Sequence, residues 1–159
     1  MPATYPSSGT TATPDAMRDY RGRGWTVAET ANGACLITDE QLAAVELTGA
    51  LAAGVRRFLR ANNLSGPVIA IPGTQRREIH LVRGLGKAAM AIAALRGAGA
   101  TVHTGGASIP LPPTRLSNGS ACWEISPSES RWIPPVVAIA AAVRATAPTR
   151  TPRRTELAC

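Results

Sequence analysis

The pattern of apolar and polar positions divides this chain into short strands interleaved with a few helices. Trp25 to Glu29 and Ala34 to Ile37 read as strands joined at Asn32-Gly33, a pair suited to tight turns. The next stretch has two readings. Thr38, Asp39, Glu40 and Gln41 match a capping-box pattern, which fits a helix running on to Asn62. Thr48-Gly49 interrupts that run, and Leu42 to Leu47 fits a buried strand, so the preferred order is turn, strand 42–47 and helix 50–62. Within that helix Leu51, Val55, Phe58 and Leu59 form one apolar stripe, with Arg56, Arg57 and Arg60 toward the opposite side.

Pro67 to Ile71 reads as a buried strand and Glu78 to Val82 as another. Gly84-Leu85-Gly86 precedes a helix spanning about Lys87 to Arg96, which Gly97 and Gly99 close. Thr101 to His103 and Ala107 to Leu111 are short strands around Gly105-Gly106. Pro112-Pro113 then stops the sheet, because proline cannot donate to a ladder. Ser120 to Ile125 is a further strand, and Pro134-Pro135 starts a last Ala/Val helix over 136–145. The mixture predicts an α+β (mixed α/β) fold, with a central mixed or antiparallel sheet flanked by two or three helices. Residues 1–16 read as a flexible leader, 17–145 as a single domain and 146–159 as a disordered basic tail.

Composition narrows the partners. At 159 residues and 45% apolar content, one globular domain is expected rather than wholesale disorder. Aromatics make up only 4%, so the core must rest on Ala, Leu, Val and Ile, which points to modest stability and to added burial from a protein partner or homodimer contact. The formal charge of +7, from sixteen Arg and one Lys against ten acids, favours polyanions such as DNA or RNA. No membrane span and no signal peptide are visible, so a cytoplasmic location is expected. Cys35, Cys122 and Cys159 are widely spaced and no pair has zinc-ligand spacing.

The candidate chemistry is sparse. Arg83-Gly-Leu-Gly-Lys87 would aim backbone N–H groups at an anion with two cations alongside, and it equally fits an ordinary strand-to-helix turn. Arg76 and Arg77 fit further phosphate contacts, or a solvated basic loop; no aromatic side chain is interleaved with them to stack a base. Strand alternation puts His80 on one face with Glu78 and Val82, opposite Ile79 and Leu81, where it could meet a triphosphate or be structural. His103 has no evident partner. Glu46 is the one acid in strand 42–47, too few carboxylates to hold a catalytic metal pair. Asp39 and Glu40 read as turn or cap residues and Glu124 as a cross-strand surface charge. Neither Ser nor Cys occupies a nucleophile motif, and no Asp is available to orient either histidine.

His103-Thr-Gly-Gly-Ala-Ser-Ile-Pro-Leu-Pro-Pro-Thr-Arg115, followed by Asn118-Gly119 and Cys122-Trp-Glu124, resembles the C-terminal half of the primase-polymerase (prim-pol) domain, in particular small actinobacterial proteins labelled bifunctional DNA primase/polymerase. Upstream, Leu36-Ile-Thr38, Leu42 to Thr48 with the Arg-rich helix, and Gly66 to Pro72 are similar to the same family. The resemblance implies a prim-pol-like sheet. It also implies remnants of a catalytic site, with Glu46 at an acidic position of the first motif and His80 at the second-motif histidine. Thr48 stands where the family has a second acid, and no third acid lies near Val102 and His103. The expectation is therefore a degenerate prim-pol-like domain that binds nucleic acid or nucleotides without turnover, through Arg76, Arg77, Arg83 and Lys87. It needs no cofactor, Mg²⁺ or Mn²⁺ entering only if the chain is an active polymerase. A protein-interaction adaptor or regulatory protein is the alternative.

Overall fold

The computed structural model describes residues 14–146. Two of the expected segments, the start of the leader and nearly all of the tail, lie outside them. The described residues form an α+β fold in three layers. The middle layer is a five-stranded antiparallel sheet in the order β10-β4-β5-β3-β6, made of Cys122–Ile125, Val68–Ile71, Arg77–Val82, Ala43–Thr48 and Thr101–His103. On one side it packs against a three-stranded sheet, β1 (Val27–Thr30), β2 (Gly33–Ile37) and β7 (Ser108–Leu111), and against helix α1 (Pro14–Gly22). On the other side lie α2 (Gly49–Ala61), α3 (Ala89–Gly97) and α4 (Val136–Thr146).

Alternation along each central strand feeds two separate cores. Ala44, Ile69, Ile71, Ile79 and Leu81 point toward the three-stranded sheet, where Leu36, Ile109 and Leu111 meet them. Ala43, Val45, Leu47 and Val82 point the other way, onto Val55 and Leu59 of α2 and Val136, Ile139 and Val143 of α4. Of the α2 stripe, Val55 and Leu59 are buried while Leu51 and Phe58 are partly so. The strand-then-helix reading of 42–62 is the one adopted, because Thr48 is extended and Gly49 takes a positive φ of 60° that ends the strand.

Several boundaries differ from expectation. The helix α1 begins at Pro14, inside the segment read as a leader, and the reason is Tyr20. Its hydroxyl donates to the Pro112 carbonyl at 2.5 Å, its ring stacks on Trp25 at 5.6 Å, and Trp123 donates to the same hydroxyl at 3.1 Å. Burial raises the Tyr20 pKa, so the hydroxyl stays protonated as a donor. Those long-range contacts order a helix that its own polar sequence would not hold. The first hairpin turns at Ala31-Asn32, with Thr30 paired to Gly33, one residue earlier than Asn32-Gly33. Residues 85–87 form a single 3₁₀ turn before α3 starts at Ala89. The strand expected over 120–125 is split into β9 (Gly119–Ser120), which pairs with β8 (Arg115–Leu116), and β10.

Thr114 fixes this last hairpin to the first. Its buried hydroxyl donates to the Ala34 carbonyl at 2.7 Å and accepts from the Ala34 N–H at 2.9 Å, while Gly33 lies so close that an added Cβ would sit 2.8 Å from the Thr114 Cα. Thr114→Val keeps the volume and orphans both backbone groups. A loss of about 2 kcal/mol in urea unfolding is expected.

Candidate nucleic-acid interface

The sequence singled out Glu46 and His80 as remnants of one catalytic site, and the strand register separates them. Val45 is opposite His80, and Glu46 is opposite Ile79. Directly opposed residues share a face, so His80 lies on the helical side of the sheet and Glu46 on the other. A single cleft therefore does not hold both. Among the described residues, no three His, Cys, Asp or Glu side chains converge as metal ligands.

Glu46 has local partners instead, while His80 lies beside a carboxylate without bonding it. Glu46 accepts from Arg77 at 2.8 Å and pairs with His103 Nε2 at 2.8 Å, so the histidine that the sequence left without a partner has one. On the helical face, the Glu78 carboxylate accepts from Arg56 at 2.5 Å, and Arg56 also reaches Glu124 at 3.5 Å. Arg76 bonds Glu124 and stands 3.7 Å from Glu78. Carboxylates thus orient or approach both histidines, although no Asp does. Glu124, read as a cross-strand surface charge, is a member of an ion network, and Arg56 turns in from its helix to join it.

That network redefines the expected phosphate contacts. Arg76 and Arg77 are adjacent in sequence and engage opposite faces of the sheet, each held by a carboxylate. They do not form a joint cradle. Arg83 and Lys87 are exposed, and among the described residues no ion pair engages either.

His80 is 2% exposed and Glu78 3%. His80 Nε2 and Glu78 Oε2 lie 3.7 Å apart, too far for a hydrogen bond, and neither atom has a hydrogen-bond partner among the described residues. Burial raises the Glu78 pKa, but His80, Arg56 and Arg76 together outweigh it and hold the carboxyl below its ordinary value of 4.5. A depressed acid stabilises the fold above its unfolded pKa, and that contribution disappears as pH falls through the folded value. Urea midpoints measured from pH 7 to pH 3 are therefore expected to drop more steeply below about pH 4.5 in the native chain than in Glu78→Gln.

Arg83 instead belongs to a different site. It lines a cavity of about 530 Å³ together with Arg23, Arg131, Trp25, Trp132, Ser130 and Ile133. Backbone pairing sets its place: the Arg83 N–H donates to Pro134 O at 3.0 Å and Val136 N–H donates to Arg83 O at 2.8 Å. Gly66 allows the 132–134 segment to lie close, since a Cβ there would stand 2.2 Å from Pro134 Cδ. Residues 126–130 fold as a tight turn, with Glu129 N–H donating to Ser126 O at 3.1 Å and Ser130 Oγ to the same carbonyl at 3.2 Å. That turn presents Arg131 and Trp132 outward, with Trp132 42% exposed.

Ser130, Arg131 and Trp132 also line a second cavity of about 670 Å³ with Arg60, Asn63 and Glu129, so they form the ridge between the two. Arg60 continues into a third hollow beside Arg56 and Arg57. The surface therefore carries a band of guanidinium groups on both sides of an exposed indole. Arg23 shares its charge with Asp19 at 3.0 Å. Trp25 forms the apolar wall and ties the cavity to the Tyr20–Trp123 cluster.

Comparison with protein-family models, with curated proteins and with solved structures finds no match. The site stands on its own geometry. Sequence reading overlooked Arg23, Arg131 and Trp132. The available signal was Arg131-Trp132, an arginine beside an aromatic residue, between a Ser-rich turn and a diproline. Among the described residues, no helix is long and apolar enough to cross a membrane.

Proposed function

We propose that this chain is a nucleic-acid-binding domain that holds its ligand without turning it over. The observation that carries the reading is the meeting of Arg83, Arg131 and Arg23 around one cavity with Trp132 on its rim. Guanidinium groups track phosphates, and an exposed indole stacks an unpaired base; the two together are what single-stranded binding requires. Of the four cations expected from the sequence, Arg83 takes the central role. Arg76 and Arg77 are already matched by carboxylates, and Lys87 does not line the cavity.

The prim-pol resemblance belongs to the same proposal: a degenerate member that kept a sheet and a basic surface. The separation of Glu46 from His80 weighs against an active polymerase, which needs acids converging on a divalent ion. The test is anisotropy of a labelled single-stranded oligonucleotide at low and rising salt, beside a primer-extension assay in Mg²⁺ and Mn²⁺. Binding that weakens steeply with salt, without extension, is expected. No binding at low salt refutes the reading, and extension refutes the lack of turnover.

A further inference from the structure

The two cavities on either side of the Ser130–Trp132 ridge differ in chemistry. The one that holds Arg83 has three guanidinium groups in its wall and, among the described residues, no acid. The one of about 670 Å³ sets Arg60 and Glu129 into a single wall with Asn63 and Trp132. Among the described residues, no ion pair engages either Arg60 or Glu129. Backbone contacts fix where both start. The Glu129 N–H donates to Ser126 O at 3.1 Å and to Ser126 Oγ at 3.3 Å, which anchors the turn. Arg60 lies in the last turn of α2, where its carbonyl accepts from Asn63 N–H at 3.3 Å and Asn63 closes the helix at a positive φ of 55°.

A carboxylate in the wall repels phosphate, so this hollow does not suit the backbone of a nucleic acid. It suits a base. The two oxygens of a carboxylate are acceptors only, and they match two donors standing side by side. Among the common bases guanine alone carries such a pair on its Watson–Crick edge, N1–H and N2–H₂. Adenine and cytosine set one donor beside an acceptor there, and thymine and uracil set one donor between two acceptors. The other edge of guanine, N7 and O6, offers two acceptors, which a guanidinium meets in bidentate fashion. The exposed indole on the rim supplies a stacking face.

We propose that this hollow is a guanine subsite, in which Glu129 accepts from N1–H and N2–H₂, Arg60 donates to N7 and O6, and Trp132 stacks on the ring. The attached phosphates then lie across the ridge with Arg83, Arg131 and Arg23. The assignment rests on the nucleic-acid reading and adds to it the base that is read. The test is anisotropy of labelled oligothymidylates of about ten nucleotides, each with one central guanine, adenine, cytosine or inosine, at low salt. The guanine tract is expected to bind about tenfold more tightly than the adenine or cytosine tract. Inosine, which lacks only N2–H₂, should fall between them. Glu129→Gln, in an exposed position, should abolish the preference and leave the affinity for plain oligothymidylate native. Calorimetry with guanosine and adenosine monophosphates separates a base within a strand from a free nucleotide. Equal affinity for every tract, or a preference unchanged in Glu129→Gln, would overturn the subsite and leave the nucleic-acid reading standing. Selective binding of guanosine monophosphate, with no tract bound, would keep the subsite and remove the nucleic-acid reading. Binding of neither tracts nor nucleotides removes both.

Discussion

Glu78→Ala is expected to lower the unfolding free energy by about 3 kcal/mol, read as a reduced urea midpoint at pH 7 with an unchanged slope. The reason is the company Glu78 keeps. Its carboxylate is buried on the helical face and is the nearest acceptor for Arg56, with Arg76 and His80 beside it. Removing it leaves two guanidinium groups to share Glu124 and creates a void over Leu47, its cross-strand neighbour. Loss of one partner from a buried pair costs about 3–5 kcal/mol, and the partial exposure of Arg56 places this case at the lower end. Glu78→Gln keeps the shape and is expected to cost less. Replacing Glu78 and Arg56 together by Leu and Met should recover part of the loss, because no unpaired charge then remains beside the core. A midpoint unaffected by Glu78→Ala would mean that the network contributes nothing to the link between α2 and the sheet.

Trp132→Ala is expected to weaken single-stranded oligonucleotide binding by about 5- to 150-fold, the equivalent of one base stack of about 1–3 kcal/mol. Trp132 is exposed, and neither core includes it, so the substitution should leave the unfolding midpoint close to native. Trp132→Phe should retain much of the affinity, since a phenyl ring still offers a stacking face. Indole emission gives a second readout, because stacking on a base quenches it, and the change on binding should be smaller in Trp132→Ala. Equal affinity in Trp132→Ala would remove the stacking role and leave only the cations.

Much of the fold was legible because strand and helix periods are local. The stripe on α2, the buried 43–48 and 68–71 strands, and the shared face of Glu78 and His80 all follow from residue spacing along one element. What failed depended on contacts far apart in sequence. Alternation gives the face of a residue within its own strand, but which side Glu46 shares with which residue of β5 depends on register, and no local pattern fixes that. Helix α1 escaped notice because its support comes from Pro112 and Trp123. The cavity was hidden for the same reason, since Arg23, Arg83 and Arg131 come from three separate segments. His103 gained a partner only when β6 paired with β3.

The central claim is that Arg83 and Arg131 hold phosphates, and the salt dependence of binding tests it most directly. Plotting log K against log salt for a single-stranded oligonucleotide should give a slope of about −2 for the native chain, as expected when about three phosphates are neutralised. Arg83→Ala and Arg131→Ala should each flatten that slope by about 0.7, and the double variant by about twice as much. A double variant with the native slope and affinity would contradict the account, because the nucleic acid would then be held somewhere else on the surface.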